Sequence, residues 1–376
     1  MIDRYIQEEI RNLLFTGKTI VLLGARQVGK STLLKQLSKS VSAEPLWMNG
    51  DIVRDRDILK DITPERAQQL FPEGSLVFID EAQRIENTGL TLKIIHDHCA
   101  GIQLIATGSS AFELTDKLRE PLTGRKWTLR LYPISHLELI KHQGMLTTLR
   151  QLESRVMFGS YPDVLNYPGK ERSVLEELAN DYLYKDVFSL TNVRKPEGLQ
   201  TLVKALAFQV GNEVSFRELA EITGLDKETV ERYIILLEEA FVIFRLPAFS
   251  RNLRNELKRG RKIYFWDNGI RNAVIDQFSP LSLRQDKGAL WENFLISERQ
   301  KMLRYTNRRP QAYFWRTIDQ QEIDYVEVSS DSIEAFEMKW NPRKKAKKPV
   351  AFGRGYPDAS FNIIHPDNYL DFVLGE

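Results

Sequence analysis

The sequence predicts an α/β protein with a parallel sheet in its N-terminal region, a winged helix in its middle and a second α/β domain at its C-terminal end. Short apolar and β-branched runs occupy residues 19–23, 45–48, 76–79 and 102–106, and helical stretches separate them. Apolar strands that alternate with helices are typical of a parallel sheet covered on both faces. The N-terminal region is therefore predicted to be α/β.

The length of the chain, 376 residues, favours two or three domains over a single core. The predicted domains are a core over residues 1–135, a helical lid or linker over 136–197, a winged-helix-like domain over 198–270 and an α/β domain over 271–376.

The composition indicates a cytoplasmic protein without a membrane partner. The single cysteine, Cys99, cannot form an internal disulfide, and residues 1–14 lack the uncharged apolar core of a signal peptide. The longest apolar stretch, residues 233–246, is interrupted by Glu238 and Glu239 and is too short to span a bilayer. The net charge of +2 is too small to predict a polyanionic partner by itself.

A glycine-rich loop between the first apolar run and a helix carries the strongest functional signal. Residues 24–31 fit the pattern G-x-x-x-x-G-K-[ST], in which backbone N–H groups and the helix N-terminus surround phosphates. Lys30 is expected to reach the β- and γ-phosphates of ATP, and Ser31 to offer its hydroxyl to Mg²⁺. The predicted nucleotide-binding residues are Gly24, Ala25, Arg26, Gln27, Val28, Gly29, Lys30, Ser31 and Thr32.

Two acids end the apolar run at residues 76–79, and they are predicted to act with this loop. Asp80 is expected to hold Mg²⁺ together with Ser31, and Glu81 to polarise the attacking water. The alternative is that the two acids only cap the helix that follows.

Three further residues are candidates for catalysis. Thr107 and Ser109 follow the next strand, where hydroxyls would sense the γ-phosphate, although hydroxyls at this position also cap helices. Arg125 precedes another strand and is either an arginine finger for the nucleotide of a neighbouring subunit or a solvated surface arginine.

The chain resembles a bacterial and archaeal family that joins an AAA+ ATPase core to a C-terminal domain known as DUF4143. The segments that carry the resemblance are, in order, GARQVGKST, LVFIDEAQRI, ATGSSAFEL, LTGR, LYPISHLEL, FGSYP, YFWDNG, GALWEN and EID. The resemblance implies ATP hydrolysis with Mg²⁺ and assembly into a homo-oligomeric ring or chain, with a hexamer expected. It implies no particular substrate.

The region from residue 198 to 246 has three helical stretches and predicts a winged helix-turn-helix whose last helix, from Asp226, could be a recognition helix. Its expected wing is basic, with only Glu256 as an acid, and would contact DNA phosphates. The candidate DNA-binding residues are Arg251, Arg254, Lys258, Arg259, Arg261 and Lys262. The alternative is a protein-binding winged helix with a solvated basic loop.

The last region contains Glu292 on a predicted helix, Asp324 on a strand, and Glu337 and Lys339 on the next strand, expected over residues 334–340. This set resembles the core of PD-(D/E)xK nucleases, in which carboxylates hold Mg²⁺ beside a lysine. A half-exposed strand with an ordinary Glu and Lys pair explains the same local pattern.

Three functions remain open at this point. The first is an ATPase that couples hydrolysis to the binding or remodelling of DNA, including branched DNA. The second is an ATP-controlled switch that binds a protein, as a regulator or defence component, and the third is an ATP-gated nuclease.

Overall fold

The computed structural model describes residues 1–41, 45–109, 121–181, 195–250 and 260–375. The chain divides into two compact units. The first is Met1–Pro133 with Glu239–Phe241, and the second is Ile134–Glu238 with Val242–Glu376. No described helix combines the length and the apolar character needed to cross a bilayer.

The first unit contains one sheet and the helices connected to it. The strands are β1 (Thr19–Gly24), β2 (Leu46–Asn49), β3 (Leu76–Asp80), β4 (Gln103–Gly108) and β5 (Lys126–Leu131). The helices are α1 (Ile6–Leu13), α2 (Lys30–Ser38), α3 (Val53–Leu59), α4 (Pro64–Leu70) and α5 (Thr88–His98). All strands are parallel, in the order β2-β3-β4-β1-β5. The predicted parallel sheet is confirmed.

The parallel arrangement brings the ends of three strands together. Every residue of β1, β3 and β4 is buried, as expected for strands whose two faces are covered. Leu23 pairs with Gly108, and Ile79 pairs with Ala106. The residues that follow these strands therefore meet at one edge of the sheet, which is where parallel α/β folds place their ligands.

The second unit begins with five short helices. They are α6 (His136–Gln143), α7 (Met145–Arg150), α8 (Leu152–Phe158), α9 (Pro162–Asn166) and α10 (Glu171–Ala179). A capping box between Ser135 and Glu138 starts α6. Gly159 ends α8 and Pro162 begins α9, so the two residues interrupt the helical region in the way their conformational preferences predict.

Three helices and a small sheet follow. The helices are α11 (Pro196–Phe208), α12 (Phe216–Thr223) and α13 (Lys227–Glu239), and the strands are β6 (Glu213–Val214), β7 (Ile243–Pro247) and β8 (Arg261–Phe265). Strand β8 lies in the centre and pairs antiparallel with both β6 and β7. The three predicted helices of this region are present.

The C-terminal part contains a mixed four-stranded sheet in the order β12-β11-β10-β9. Its strands are β9 (Gln311–Arg316), β10 (Glu322–Val328), β11 (Ile333–Met338) and β12 (Ser360–Ile364), and β12 alone pairs parallel to its neighbour. Its helices are α14 (Asn268–Val274), α15 (Lys287–Tyr305), α16 (Val350–Gly355) and α17 (Tyr369–Leu374). Strand β11 ends at Met338, two residues before the predicted end.

The second unit also has a buried polar contact between FGSYP and YFWDNG. The Asp267 carboxylate accepts hydrogen bonds from the backbone N–H of Ser160 at 2.7 Å and of Gly269 at 2.8 Å. A Cβ on Gly159, where φ is +67°, would lie 2.0 Å from Asp267 Oδ1. A Cβ on Gly269 would lie 2.2 Å from the carbonyl oxygen of Phe158. The two segments therefore fit together only with glycine at both positions.

Candidate nucleotide-binding and hydrolysis site

The loop between β1 and α2 has the backbone that its two glycines predict. Gly29 has φ of 99°, which L side chains rarely adopt. A Cβ on Gly24 would lie 2.4 Å from the carbonyl oxygen of Leu131. Helix α2 starts at Lys30, so the N–H groups of its first turn lie at the end of the loop and favour an anion there.

The side chains of this loop divide by burial. Ala25 and Val28 are buried and anchor the loop, whereas Gln27 and Thr32 are exposed and Arg26 is half-buried. Lys30 is 5% exposed, and its Nζ donates hydrogen bonds of 3.0 Å to the carbonyl oxygens of Gly24 and Ala25. The lysine ammonium therefore lies directly against the loop predicted to surround the phosphates.

The predicted metal ligands are in direct contact. Ser31 Oγ donates a hydrogen bond of 2.6 Å to Asp80 Oδ2, and the hydroxyl of Thr107 donates to Asp80 Oδ1. Hydroxyl and carboxylate oxygens are the ligands that Mg²⁺ takes in proteins. Ser31 and Asp80 therefore fit a Mg²⁺ ion, and Thr107 fixes the orientation of the carboxylate.

Glu81 is held at the same edge by two further contacts. Its backbone has φ of 49° and ψ of 43°, in the left-handed region, and its N–H donates to Thr107 Oγ1 at 3.1 Å. Gln83 Nε2 donates to Glu81 Oε2 at 2.6 Å and to Ser109 Oγ at 3.0 Å. Gln83 thus connects the predicted base to the predicted sensor.

Two residues of this site were not among the sequence candidates. Gln83 lies within the segment LVFIDEAQRI, and its proximity to Glu81 was the only available signal. Arg4 is 6% exposed and donates hydrogen bonds to the carbonyl oxygens of Val28 at 2.8 Å and Tyr132 at 2.5 Å. Arg4 is 24 positions before Val28, and no spacing rule connects an N-terminal arginine to a phosphate-binding loop.

Arg125 lies at the opposite end of the strands from the candidate nucleotide site. Its carbonyl oxygen accepts from the N–H of Thr19, the first residue of β1, whereas the phosphate-binding loop follows the last residue of β1. Its Nε donates to Asp97 Oδ1 at 2.7 Å, and this hydrogen bond holds the pKa of the Asp97 carboxyl below its ordinary value. The Arg125 side chain is 39% exposed. Arg125 therefore does not contact the nucleotide site of its own chain.

Family models match three parts of the chain. One described as AAA domain matches residues 16–140, and one described as Domain of unknown function (DUF4143) matches residues 287–366. The chain joins an AAA domain to a C-terminal DUF4143 domain. This confirms the resemblance found in the sequence. A third model, Domain of unknown function (DUF8612), matches residues 149–281 between the AAA and DUF4143 domains.

The chain is also similar to two curated relatives and to a solved structure. An uncharacterized protein of Mycobacterium tuberculosis is 27% identical and the match covers 85% of this chain and 70% of that protein. An uncharacterized protein of Haemophilus influenzae is 24% identical, with 99% and 98% covered. The Walker-type ATPase PABY2304 of Pyrococcus abyssi is 15% identical and superposes with a TM-score of 0.51, covering 73% of this chain and 96% of that one. This likeness shows that the two chains share a fold.

The acidic residues predicted from the C-terminal region come together in the DUF4143 domain. Asp324 Oδ2 accepts from the N–H of Met338 at 2.7 Å, and Lys339 Nζ donates to Glu337 Oε1 at 2.5 Å. Glu292 Oε1 accepts from Tyr264 Oη at 2.6 Å. Burial raises the pKa of Asp324 and of Glu337, and raises the pKa of Glu292 to about 7.

The predicted basic wing needs one correction. Arg251, Arg254, Lys258 and Arg259 lie outside the described residues. Lys262 was predicted to contact DNA, but it is 1% exposed and its Nζ contacts Glu292 Oε1 at 3.1 Å and Glu322 Oε1 at 2.5 Å. The prediction for Lys262 is wrong because β8 is the central strand of its sheet and every residue of it after Arg261 is buried, so Lys262 lies in the interior and not on a solvated wing.

Arg261 lines an open groove of about 700 Å³ in the second unit. Its Nη1 lies 3.8 Å from Glu231 Oε1, and Arg316 Nη1 lies 3.7 Å from Glu213 Oε2. Arg217 and Lys227, at the first turns of α12 and α13, complete the basic lining. The groove therefore combines four cationic side chains with two carboxylates.

Proposed function

We propose that this protein hydrolyses ATP at the edge of the AAA-domain sheet where β1, β3 and β4 end. The observation that carries the proposal is the 2.6 Å hydrogen bond from Ser31 Oγ to Asp80 Oδ2, because it joins the helix after the phosphate-binding loop to the acid at the end of β3. The neighbouring Glu81 supplies the base, and the P-loop ATPase fold supports this assignment.

The residues have separate roles in this reaction. Lys30 and the N-terminus of α2 neutralise the phosphate oxygens, and Ser31 and Asp80 would hold Mg²⁺, which balances charge on the phosphates when bound. Glu81 accepts a proton as a water oxygen forms a bond to the γ-phosphorus. The bond from that phosphorus to the bridging oxygen breaks, and the products are ADP and inorganic phosphate.

Two substitutions separate binding from hydrolysis. Lys30→Ala should abolish ATP binding because the phosphates lose their main cation, whereas Glu81→Gln should bind ATP and stop turnover. Isothermal titration would measure binding and phosphate release would measure turnover. Glu86→Gln is the matched control, since this carboxylate is 63% exposed and lies in the same connection. Wild-type turnover by Glu81→Gln would contradict the proposal.

The same proposal includes assembly of the chain into a homo-oligomer, which we propose to be a ring. Arg125 lies at the edge of the sheet opposite its own phosphate-binding loop, so it can act as an arginine finger only on the nucleotide of a second copy. Activity for each chain should then rise with protein concentration until assembly is complete.

The proposed coupling partner is DNA, contacted through the groove that Arg261, Arg217, Lys227 and Arg316 line. Cationic side chains beside two helix N-termini favour phosphate oxygens. Arg261→Glu should weaken DNA binding equally for different sequences and flatten its salt dependence. Arg150→Glu, an exposed charge reversal outside the groove, is the control.

A protein partner is the second candidate, and the surface of α13 favours it. The partly or fully exposed positions of this helix include Glu228, Glu231 and Glu238 against Lys227 and Arg232. Excess acid on a recognition helix repels phosphates. If Arg261→Glu binds DNA with wild-type affinity and salt dependence, the ATP-controlled protein switch becomes the leading function.

A further inference from the structure

The carboxylate cluster of the DUF4143 domain has the residues of a metal-dependent nuclease, and one residue outside that domain changes what the cluster can do. We propose that the Lys262 ammonium occupies the cation position of this cluster, so that the cluster is an internal ion-pair network instead of a Mg²⁺ site. Lys262 belongs to β8, in the DUF8612 region, and its carboxylate partners come from α15 and β10. This inference does not depend on the proposed ATPase function.

The position of Lys262 is fixed by its backbone. Strand β8 is the central strand of its sheet, and Lys262 is paired with Glu213 of β6 and with Leu246 of β7. The side chain is 1% exposed, and its Nζ bridges Glu292 Oε1 at 3.1 Å and Glu322 Oε1 at 2.5 Å. The doubly paired strand therefore fixes the backbone of Lys262 beside the cluster, and burial of the side chain keeps its ammonium there.

The other carboxylates of the cluster are also engaged by donors of the chain. Asp324 accepts from the N–H of Met338, Glu337 accepts from Lys339 Nζ, and Glu292 accepts a second hydrogen bond from Tyr264 Oη. A Mg²⁺ ion needs near-octahedral oxygen ligands at about 2.0–2.1 Å. With these donors in place, no group of three or more His, Cys, Asp or Glu in the described parts of the chain is arranged to hold a metal ion.

The consequence concerns both activity and architecture. A divalent ion entering the cluster would have to displace an ammonium that uses the same carboxylates, against the repulsion of like charges. The lysine thus supplies the charge balance that a metal supplies in the nucleases that the cluster resembles. The cluster fastens the small sheet to α15 and β10 and carries no metal-assisted hydrolysis.

The test uses Mn²⁺ as the probe and the full-length chain with Asp80→Asn, which removes the metal ligand of the ATP site. In this background, isothermal titration should show no Mn²⁺ binding that depends on Asp324, so that adding Asp324→Asn changes nothing. Adding Lys262→Ser should create one Mn²⁺ site for each chain, which Asp324→Asn then removes. Lys339→Ser is the matched control and should create no site, because Lys262 still occupies the cluster.

In the titrations, two results would overturn the proposal. One is Asp324-dependent Mn²⁺ binding while Lys262 is present, and the other is no new site in a Lys262→Ser chain that folds by circular dichroism. If Lys262→Ser does not fold, the proposal is tested by acetylating the native protein and locating the labelled lysines by mass spectrometry. Lys262 should stay unlabelled with and without Mn²⁺, while Lys339, whose side chain is 28% exposed, is labelled. Labelling of Lys262 that appears on adding Mn²⁺ would show that metal displaces it, contrary to the proposal.

Discussion

The hydroxyl of Thr107 donates a hydrogen bond to one oxygen of the Asp80 carboxylate, whose other oxygen accepts from Ser31. Thr107 also accepts from the backbone N–H of Glu81. One buried threonine therefore fixes both the acid that would hold Mg²⁺ and the residue that would activate water. Residues that orient a metal ligand contribute to activity without touching substrate.

Replacing this hydroxyl should lower ATP turnover. Thr107→Val keeps the shape of the side chain but removes both hydrogen bonds, and turnover should fall by about 10–100-fold. Thr107→Ser should retain most of the activity because its hydroxyl can make the same contacts. Steady-state phosphate release measures both variants, and equal activity of Thr107→Val and wild type would exclude this role.

Gln83 should affect hydrolysis more than binding. Its amide holds the Glu81 carboxylate at 2.6 Å, so Gln83→Ala should release the base from its position. We expect kcat to fall by about tenfold, less than the 10²–10⁴-fold that a general base itself contributes. The Kd for ATP, measured by titration, should stay within about twofold of the wild-type value. A loss of binding together with kcat would instead indicate damage to the loop.

Complementation should reveal whether Arg125 serves a neighbouring chain. Arg125→Ala and Lys30→Ala chains should each be inactive alone, and mixing them should restore part of the turnover, since a mixed interface can join an intact half from each. Arg130→Ala is the control and should be active by itself, because Arg130 is an exposed arginine of β5, the strand that follows Arg125. No recovery at any mixing ratio would count against a shared site.

Removing the buried ammonium should destabilise the second unit. Lys262→Met removes the ammonium that Glu292 and Glu322 share, and loss of one partner of a buried ion pair costs about 3–5 kcal/mol of unfolding free energy. Lys339→Met removes a lysine that is 28% exposed and should cost less than about 1 kcal/mol. Chemical denaturation of the two variants would measure the difference, and equal losses would contradict the assigned role.

The buried Glu292 predicts a pH dependence of stability. Burial raises its pKa in the folded protein from 4.5 to about 7, against the opposing effect of Lys262. Between pH 4.5 and pH 7, Glu292 of the folded protein keeps a proton that the unfolded chain has released. The contribution of Glu292 to the free energy of unfolding is therefore fully present at low pH and is lost as the pH rises to 7.

Glu292→Gln removes this titration. The unfolding free energy of wild type relative to the variant should therefore fall by up to about 3 kcal/mol between pH 4.5 and pH 7. Denaturation at several pH values checks this, with the exposed Glu197→Gln as the control. A difference that rises with pH would reverse the sign and refute the prediction.

The parallel sheet and the phosphate-binding loop could be predicted because their determinants are local. Gly24, Gly29 and the apolar runs set backbone geometry within a few residues, and Asp80 and Thr107 follow from the rule that parallel strands end at one edge. Arg4 could not be predicted, because its contact with Val28 depends on where an N-terminal segment packs in the folded unit.

Lys262 shows where the sequence was misleading. In the chain it ends a basic run, and the run as a whole predicts a solvated wing. The competing signal was the apolar segment that follows, since β8 begins at Arg261 and every later residue of the strand is buried. Burial of both faces of β8 after Arg261 therefore decided the environment of Lys262 over local charge.

The buried contacts of β8 also bear on how the C-terminal half of this protein folds. Phe265 and Asn293 exchange two hydrogen bonds, of 2.7 Å and 3.0 Å, and Asn268 and Asn293 share another of 2.6 Å. These bonds cross the boundary between the regions that the DUF8612 and DUF4143 models match. A fragment that stops near residue 284 would leave polar groups unsatisfied on both pieces. The two regions, distinct as sequence families, should therefore melt in one cooperative transition and resist separate expression.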